Sequence, residues 1–141
     1  MPKNVKQRDI TDCGAACLAS VAAHYQLKMP IARIRQYAST DKKGTNVLGM
    51  IEASQKLGFE AKGVKGALDS LTKIPLPAIA HVIVKQQLHH YVVIYKADQK
   101  GVQIMYPADG KTYRKTKEDF TKEWTGVLIL LLTHTKFYRK K

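Results

Sequence analysis

Residues 7–17 read QRDITDCGAAC, and this stretch decides how the rest of the chain folds. Asp12 is a favourable N-cap residue, and apolar residues recur at helical spacing from Leu18 onward. The pattern predicts a helix that begins at Cys13 and runs to about Gln26. A thiol at a helix N-terminus faces the positive end of the helix dipole. That position favours the thiolate, which is the nucleophilic form of cysteine.

Two residues near Cys13 suit the surroundings of a nucleophile. Gln7 lies six residues upstream, on the segment that leads into the helix. Its side-chain amide can fold back beside the backbone N–H of Cys13, and two donors so placed form an oxyanion hole. Gly14 is expected to leave room for a substrate backbone beside the sulfur.

A structural interpretation of the cysteines stands beside the catalytic one. Free cysteines are commonly buried as small apolar side chains. Cys17, one turn after Cys13 on the same apolar stripe as Val21, fits that role. Cys13 is distinguished by a histidine motif downstream that supplies a base.

Length and composition indicate one soluble domain. The 141 residues, of which 45% are hydrophobic, suffice for one core. The longest apolar run, residues 127–132, is far shorter than the roughly 20 residues of a membrane span, and no secretory signal pattern is present. Two cysteines four residues apart on one helix do not suggest a disulfide framework, so a reducing, cytosolic compartment is expected.

The chain carries a formal net charge of +13. An excess of this size predicts an acidic partner or a nearby anionic surface. No helix carries an array of base-reading side chains, and no aromatic-and-glycine motif for single strands is present. A nucleic-acid partner is therefore not expected.

Hydrophobic periodicity divides the chain into a helical first half and a strand-rich second half. Pro30 begins a second, shorter helix, and Asn46 caps a third helix that carries Leu48 on its apolar face and ends at Gly58. Strands are predicted at 59–64, 78–84, 89–96, 102–106 and 127–132, with short helices at 67–72 and 117–124. This order predicts an α+β fold in which N-terminal helices pack on a C-terminal antiparallel sheet, with the nucleophile where the two layers meet.

Residues 89–95 read HHYVVIY, a predicted strand that begins with two histidines. Alternation places His90 on one face with Val92 and His89 on the other face with Tyr91, so only one histidine can face the cysteine. A lone histidine on a strand is usually structural. Its pairing with Cys13 favours a catalytic base, because such sites are assembled by geometry rather than by sequence position.

Four motifs lie along the chain: Gln-x4-Asp-Cys-Gly-x2-Cys at 7–17, Gly-Thr-x2-Leu-Gly at 44–49, His-Tyr-Val-Val at 90–93 and Trp-Thr-Gly-Val at 124–127. Together they resemble the peptidase domains at the N-terminus of bacterial ABC transporters that process and export double-glycine-leader peptides such as bacteriocins and pheromones. The resemblance covers nearly the whole chain. It implies a papain-like cysteine peptidase that cleaves a leader after its Gly-Gly pair, with Cys13 as nucleophile, His90 as base and Gln7 in the oxyanion hole.

The same resemblance implies partners and location. It implies a leader peptide as substrate, the rest of the transporter as partner, and no cofactor in this domain, since ATP would be used by other transporter domains. Residues 1–135 then form the peptidase domain, and residues 136–141 form a basic tail or the start of a linker to a transmembrane domain. The domain is expected at the cytoplasmic side of the bacterial inner (cell) membrane, monomeric alone but within a homodimeric transporter.

One position departs from the family pattern. The family usually has an Asp-Pro pair sixteen residues after the histidine, where the Asp orients the imidazole, and this chain has Tyr106 followed by Pro107. A neutral phenol brings no negative charge, so it stabilises an imidazolium poorly. Asp109 offers a substitute carboxylate nearby, although an Asp before Gly110 is also typical of a turn.

Two further interpretations remain open. Tyr106 at the usual Asp position favours a degenerate domain that binds the export substrate without cleaving it, whereas the presence of Cys13, Gln7 and His90 argues against that interpretation. A metal site formed by Cys13, Cys17 and a histidine is disfavoured, because Cys-x3-Cys lacks the paired spacing of structural zinc sites.

Overall fold

The computed structural model describes residues 4–6, 13–38, 46–84 and 88–132 of the chain. None of the helices in these ranges is both long and apolar enough to cross a bilayer. The elements, in chain order, are α1 Cys13–His24, α2 Ile31–Ala38, α3 Val47–Lys56, β1 Glu60–Lys65, a 3₁₀ helix Leu68–Thr72, β2 Ala78–Val84, β3 Leu88–Ala97, β4 Gly101–Tyr106, β5 Lys111–Thr116, α4 Lys117–Thr121 and β6 Trp124–Leu132.

The strands of this described part form one six-stranded antiparallel sheet in the order β1-β6-β2-β3-β4-β5. On one side of β3, His90 lies opposite Val82 of β2. On its other side, Ile94 lies opposite Ile104 of β4. Because neighbouring strands run in opposite directions, the start of β3 and the end of β4 lie at the same end of the sheet. His90 and Tyr106 are therefore brought to one place.

Both faces of the sheet are covered. α1 and α3 pack on one face, which includes Tyr91 and Val93, and α2 packs against both helices. The opposite face carries Val92 and is covered by Phe120 of α4 and Leu71 of the 3₁₀ helix. Strands buried on both faces have near-continuous apolar sequences. This explains the run from Tyr91 to Tyr95, every residue of which is buried.

The α+β fold class is confirmed, and most predicted elements form close to their predicted bounds. The side chain of Asn46 accepts a hydrogen bond from the backbone N–H of Gly49 at 2.8 Å, as expected of the N-cap of α3. The assignment of Leu48 to the apolar face is wrong, since this residue is 65% exposed. Met50 and Ala53 are buried instead, because the helix is rotated to present them to α1 and the sheet.

β5 has no counterpart among the strands predicted from the sequence. Its residues, KTYRKT, are mostly exposed, and they show no apolar alternation because β5 is an edge strand. Pairing with β4 holds the segment extended, with Gly101 opposite Thr116. The strand ends where the side chain of Thr116 accepts a hydrogen bond from the backbone N–H of Asp119 at 3.1 Å and caps α4.

The turn between β3 and β4 is closed by Asp98. One of its carboxylate oxygens accepts hydrogen bonds from the backbone N–H groups of Lys100 and Gly101, at 2.8 and 3.0 Å. Arg114 of β5 donates to the other oxygen at 2.6 Å. The bond from Arg114, followed by the two backbone bonds, lowers the pKa of Asp98 to about 2. The carboxylate form that closes the turn therefore persists at neutral pH.

Gly101 at this turn yields a prediction for stability. A Cβ on residue 101 would lie 2.1 Å from the carbonyl oxygen of Lys115, so the β5 backbone would have to move. We expect Gly101→Ala to cost about 3 kcal/mol of unfolding free energy, or roughly 6–12 °C in Tm. Thermal unfolding of Gln99→Ala, an exposed neighbour in the same turn, is the control and should shift by less than about 0.5 kcal/mol. Equal stability of the two variants would contradict this close approach.

Candidate active site

Cys13 is the first residue of α1, as predicted, and only 7% of it is exposed. The next nine residues of the helix, through Ala22, are all buried. The helix has 12 residues, so its start offers the thiol a full helix dipole. Gln7 and Asp12 lie outside the described residues, and their roles as oxyanion donor and N-cap stay predictions.

Cys17 has the surroundings of a structural cysteine. It is fully buried, and burial raises the pKa of its thiol well above the usual value, with a further contribution from Cys13. A thiol held in its neutral form is a poor nucleophile and a poor metal ligand. Across the ranges that the structure describes, no three His, Cys, Asp or Glu side chains are grouped so that they could hold a metal ion.

Gly14 has a different role from the one expected. A Cβ on this residue would lie 2.7 Å from Sδ of Met50 and 3.4 Å from Cδ2 of Tyr91. The space assigned to a substrate backbone is thus filled by the core. Glycine is needed here so that α1 can approach β3 closely. The residue after Cys13 therefore packs against the residue after His90.

His90 lies on β3, and its position on the sheet is set by its neighbours. It is opposite Val82, which belongs to the core on the face away from α1. Tyr91, the next residue, lies on the face that α1 covers, and burial, followed by the charge of Cys13, raises its pKa above the usual range. His90 is thus at the end of the sheet, one residue along the chain from a side chain that contacts the start of α1.

His89 is engaged with a second histidine that the sequence analysis did not single out. The hydroxyl of Thr125 donates its single hydrogen to the carbonyl oxygen of His81. The oxygen of Thr125 is therefore the acceptor in its second bond, from Nδ1 of His81 at 3.1 Å. Nε2 of His81 then accepts from Nδ1 of His89 at 3.2 Å. Burial, and next the neighbouring His89 and His90, lower the pKa of His81. The geometry ties His89 to β2, which favours His90 as the base.

Tyr106, at the position of the expected Asp, opens onto a cavity of about 470 Å³ whose lining also includes His90. Its hydroxyl donates a hydrogen bond to one carboxylate oxygen of Glu123. Lys115 of β5 donates to the other oxygen of Glu123 at 3.0 Å. Burial, followed by the bond to Glu123, raises the pKa of Tyr106 above its usual range. Tyr106 is therefore a neutral phenol at physiological pH.

Asp109 lines the same cavity, but its carboxylate is engaged within its own turn. The hydroxyl of Tyr113 donates to one oxygen, and the backbone N–H of Lys111 donates to the other at 2.8 Å. The bond from Tyr113, followed by the backbone bond, lowers the pKa of this exposed carboxyl group. These contacts favour the turn interpretation of Asp109 over a role as the orienting group.

Sequence reasoning missed Glu123 and Lys115 at this site. Glu123 directly precedes the Trp-Thr-Gly-Val motif, which is a signal that could have drawn attention to it. Lys115 carries no such signal, because it lies on the strand that was not predicted.

Most of the chain is similar to known proteins. The profile of the Peptidase C39 family matches residues 2–136. The lactococcin-G-processing and transport ATP-binding protein LagD of Lactococcus lactis is 44% identical over 131 residues, which are 92% of this chain and 18% of that protein. The transport/processing ATP-binding protein ComA of Streptococcus pneumoniae is 34% identical over 89% of the chain and likewise 18% of its own length. The chain thus spans about a fifth of these relatives.

Solved structures agree with the sequence comparison. The peptidase domain of Streptococcus ComA, a bifunctional ABC transporter, superposes with a TM-score of 0.88 at 40% identity, covering 95% of this chain and all of that one. A double-glycine-motif protease from an AMS/PCAT transporter, solved with its leader peptide, gives a TM-score of 0.85 at 28% identity, covering 95% and 93% of the two chains. The family resemblance, the papain-like fold and the peptidase class predicted from the sequence are confirmed: the chain belongs to the Peptidase C39 family.

Proposed function

We propose that this domain is a cysteine endopeptidase that removes the leader from bacteriocin-like or pheromone precursors by cleaving after a Gly-Gly pair. The observation that carries the proposal is the position of Cys13 at the start of α1, where Gly14 packs against Tyr91, the residue that follows His90. Relatives named for the processing and transport of lactococcin G and mesentericin Y105 support the choice of substrate class. So does the neighbouring structure solved with a leader peptide.

The proposed reaction follows the chemistry of a Cys–His pair. His90 takes the proton of Cys13, and the thiolate attacks the carbonyl carbon of the second glycine. The backbone N–H of Cys13 and the side-chain amide of Gln7 stabilise the oxyanion. The imidazolium then gives its proton to the leaving amine of the cargo peptide, and water hydrolyses the remaining thioester to release the leader.

Cleavage of a defined peptide tests this proposal. The substrate is an amphipathic leader ending in Gly-Gly and followed by a short cargo, and mass spectrometry locates the cut without added metal or nucleotide. We expect a single cut after the second glycine, and no cut when Gly-Gly is replaced by Val-Val. An intact Gly-Gly substrate at high enzyme concentration would refute the peptidase proposal. If that substrate also bound tightly, the degenerate, non-cleaving alternative that Tyr106 suggests would replace it.

We further propose that this domain is part of a longer protein, an ABC transporter. Residues 1–135 form the peptidase domain, and the tail at 136–141, outside the described residues, leads toward a transmembrane domain near the anionic inner surface of the cell membrane. The domain is monomeric alone, whereas the transporter dimerises through its other parts. No cofactor serves the peptidase, and ATP is used elsewhere in the transporter. A native stop codon directly after Lys141 would contradict this arrangement.

The net charge of +13 yields a prediction about encounter with substrate. Attraction between a basic domain and an acidic leader speeds association at low salt, and the Debye length falls from about 30 Å at 0.01 M to about 8 Å at 0.15 M. We expect this rise in salt to lower kcat/KM more for an acidic leader than for the same leader with its Asp and Glu replaced by Asn and Gln. Equal salt effects on the two peptides would remove electrostatic steering from the proposal.

A further inference from the structure

Tyr106 lines the cavity together with His90, and it is hydrogen-bonded to a carboxylate that lines the same cavity. Its hydroxyl hydrogen is donated to Glu123, whose side chain is only 12% exposed. Lys115 donates to the second oxygen of Glu123, and its ammonium group lies 5.1 Å from the centre of the Tyr106 ring. The three residues come from β4, β5 and the turn before β6. Nothing local in the sequence brings them together.

The sheet register places Tyr106 beside His90. Val93 lies opposite Met105 and Ile94 opposite Ile104, so the next pair in the same register is Val92 and Tyr106. His90, two residues from Val92, is then the diagonal neighbour of Tyr106 on the same face. Diagonal neighbours in a sheet are within reach of aromatic side chains. Both residues also line the same cavity, together with Glu123.

The direction of the Tyr106 hydrogen bond determines what its oxygen can do. Since the hydrogen goes to Glu123, the oxygen can only accept a hydrogen bond from another partner. A ring N–H of His90 is the donor that the diagonal position supplies. Donation to a carboxylate increases the electron density on the phenol oxygen, because hydrogen bonds in a chain polarise one another. The negative charge of Glu123 is thus felt at the imidazole through one neutral hydroxyl group.

We propose that Glu123 acts through Tyr106 as the positioning group for His90, in place of the Asp that the family usually has at position 106. The inference rests on the proposed peptidase function. It explains how the domain can keep an active Cys–His pair without a carboxylate directly beside the histidine. Lys115 moderates the effect, because its positive charge partly offsets that of Glu123.

Other titratable groups lie near His90, and any test has to separate their effects on the pKa of His90 from the effect of Glu123. Cys13 lies at the start of α1, and His81 and His89 lie on β2 and β3. Asp109 is in the turn after β4, where Tyr113 and Lys111 engage it. Replacing Cys13 with Ala in every variant removes the thiol from the titration and makes the measurement independent of cleavage.

The test is an NMR titration of the His90 imidazole in the Cys13→Ala background. We expect Glu123→Gln and Tyr106→Phe each to lower the pKa of His90 by about 0.5 to 1. Glu123→Gln removes a negative charge that stabilises the imidazolium, and Tyr106→Phe removes the hydroxyl group that links this charge to the imidazole. Lys115→Met should raise this pKa. A purely structural role predicts shifts of the same sign for Glu123→Gln and Lys115→Met, since each variant breaks the same ion pair. Opposite signs therefore identify the electrostatic role.

Two controls complete the titration. Glu118→Gln removes the same charge at an exposed position of α4 and should leave the pKa of His90 unchanged. Asp109→Asn should also leave it unchanged. A shift with Asp109→Asn but none with Glu123→Gln would overturn the inference and make Asp109 the orienting group. Failure of the wild-type domain to cut its peptide would refute the proposed function. The titration would still test the link between Glu123 and His90, because it does not depend on cleavage.

Kinetics supply a second readout in the cleaving enzyme. We expect Tyr106→Phe to lower kcat about ten- to a hundredfold with little change in KM, the loss typical of one hydrogen bond to a charged group. Glu123→Gln should lower kcat about three- to tenfold, and by less than about twofold when Tyr106→Asp already supplies a carboxylate beside His90. An equal loss from Glu123→Gln in both backgrounds would overturn the relay through Tyr106.

Discussion

His90→Gln should reduce kcat/KM for leader cleavage by about a thousandfold or more, whereas His89→Gln should change it by less than about threefold. General acid–base catalysis by a positioned side chain contributes roughly 10²–10⁴, and a Cys–His pair also loses the ion pair that activates its thiolate. His90 lines the cavity with Tyr106, while His89 is bonded to His81 at 3.2 Å. The two adjacent histidines therefore have separate tasks.

His90→Gln and His89→Gln form a matched pair of variants. Both variants remove one imidazole from the same end of β3, and both keep a side chain that can form hydrogen bonds. Thermal unfolding should show both variants folded at the assay temperature, so that the difference in cleavage reports on the reaction rather than on loss of structure. A larger loss of cleavage in His89→Gln would mean that the wrong histidine has been assigned as base.

Cys13→Ala should abolish cleavage, with a loss of at least about a thousandfold, because no other group at the start of α1 can form the thioester. Cys17→Ala should keep most of the activity. Its cost should be about 1–2 kcal/mol of unfolding free energy, since the buried sulfur leaves a small void in the core. Cleavage is measured with the same peptide and stability by urea unfolding. Loss of activity in Cys17→Ala without loss of stability would contradict the structural role of Cys17.

The two thiols should also differ in alkylation. Burial and a raised pKa keep Cys17 in its unreactive form, so iodoacetamide should modify it only after unfolding. Because the pKa of Cys17 is raised, its thiol stays protonated across neutral and mildly alkaline pH, and the protection holds throughout that range. Cys13 should react in the native domain, and a bound leader peptide should slow that reaction. Modification of Cys17 before Cys13 in the folded domain would reverse the assignment.

The features predictable from sequence are those that depend on local patterns. The helix start at Cys13, the Asn46 cap and the strand at 78–84 follow from capping chemistry and periodicity, and the structure has them where they were expected. β5 could not be predicted in this way. It is a polar edge strand, and only its pairing with β4 makes it extended.

The candidate site shows the same division. Cys13 and His90 stand out in the sequence because each belongs to a recognisable motif. Glu123 does not stand out as a partner of Tyr106, because the two are 17 positions apart and an unpredicted strand lies between them. Gly14 was misread for a related reason: the contact with Met50 joins α1 to α3, and no local pattern reveals such packing.

A covalent trap tests most directly the central claim that Cys13 attacks the carbonyl of the second glycine. The reagent is a leader peptide whose C-terminal Gly-Gly carries a chloromethyl ketone, so that a thiolate held at the scissile position displaces chloride and forms a stable thioether. Intact-mass measurement followed by peptide mapping of the wild-type domain is predicted to show one leader per chain, attached to Cys13. Attachment to any other residue, or no attachment while the domain still cuts the Gly-Gly substrate, would contradict the account.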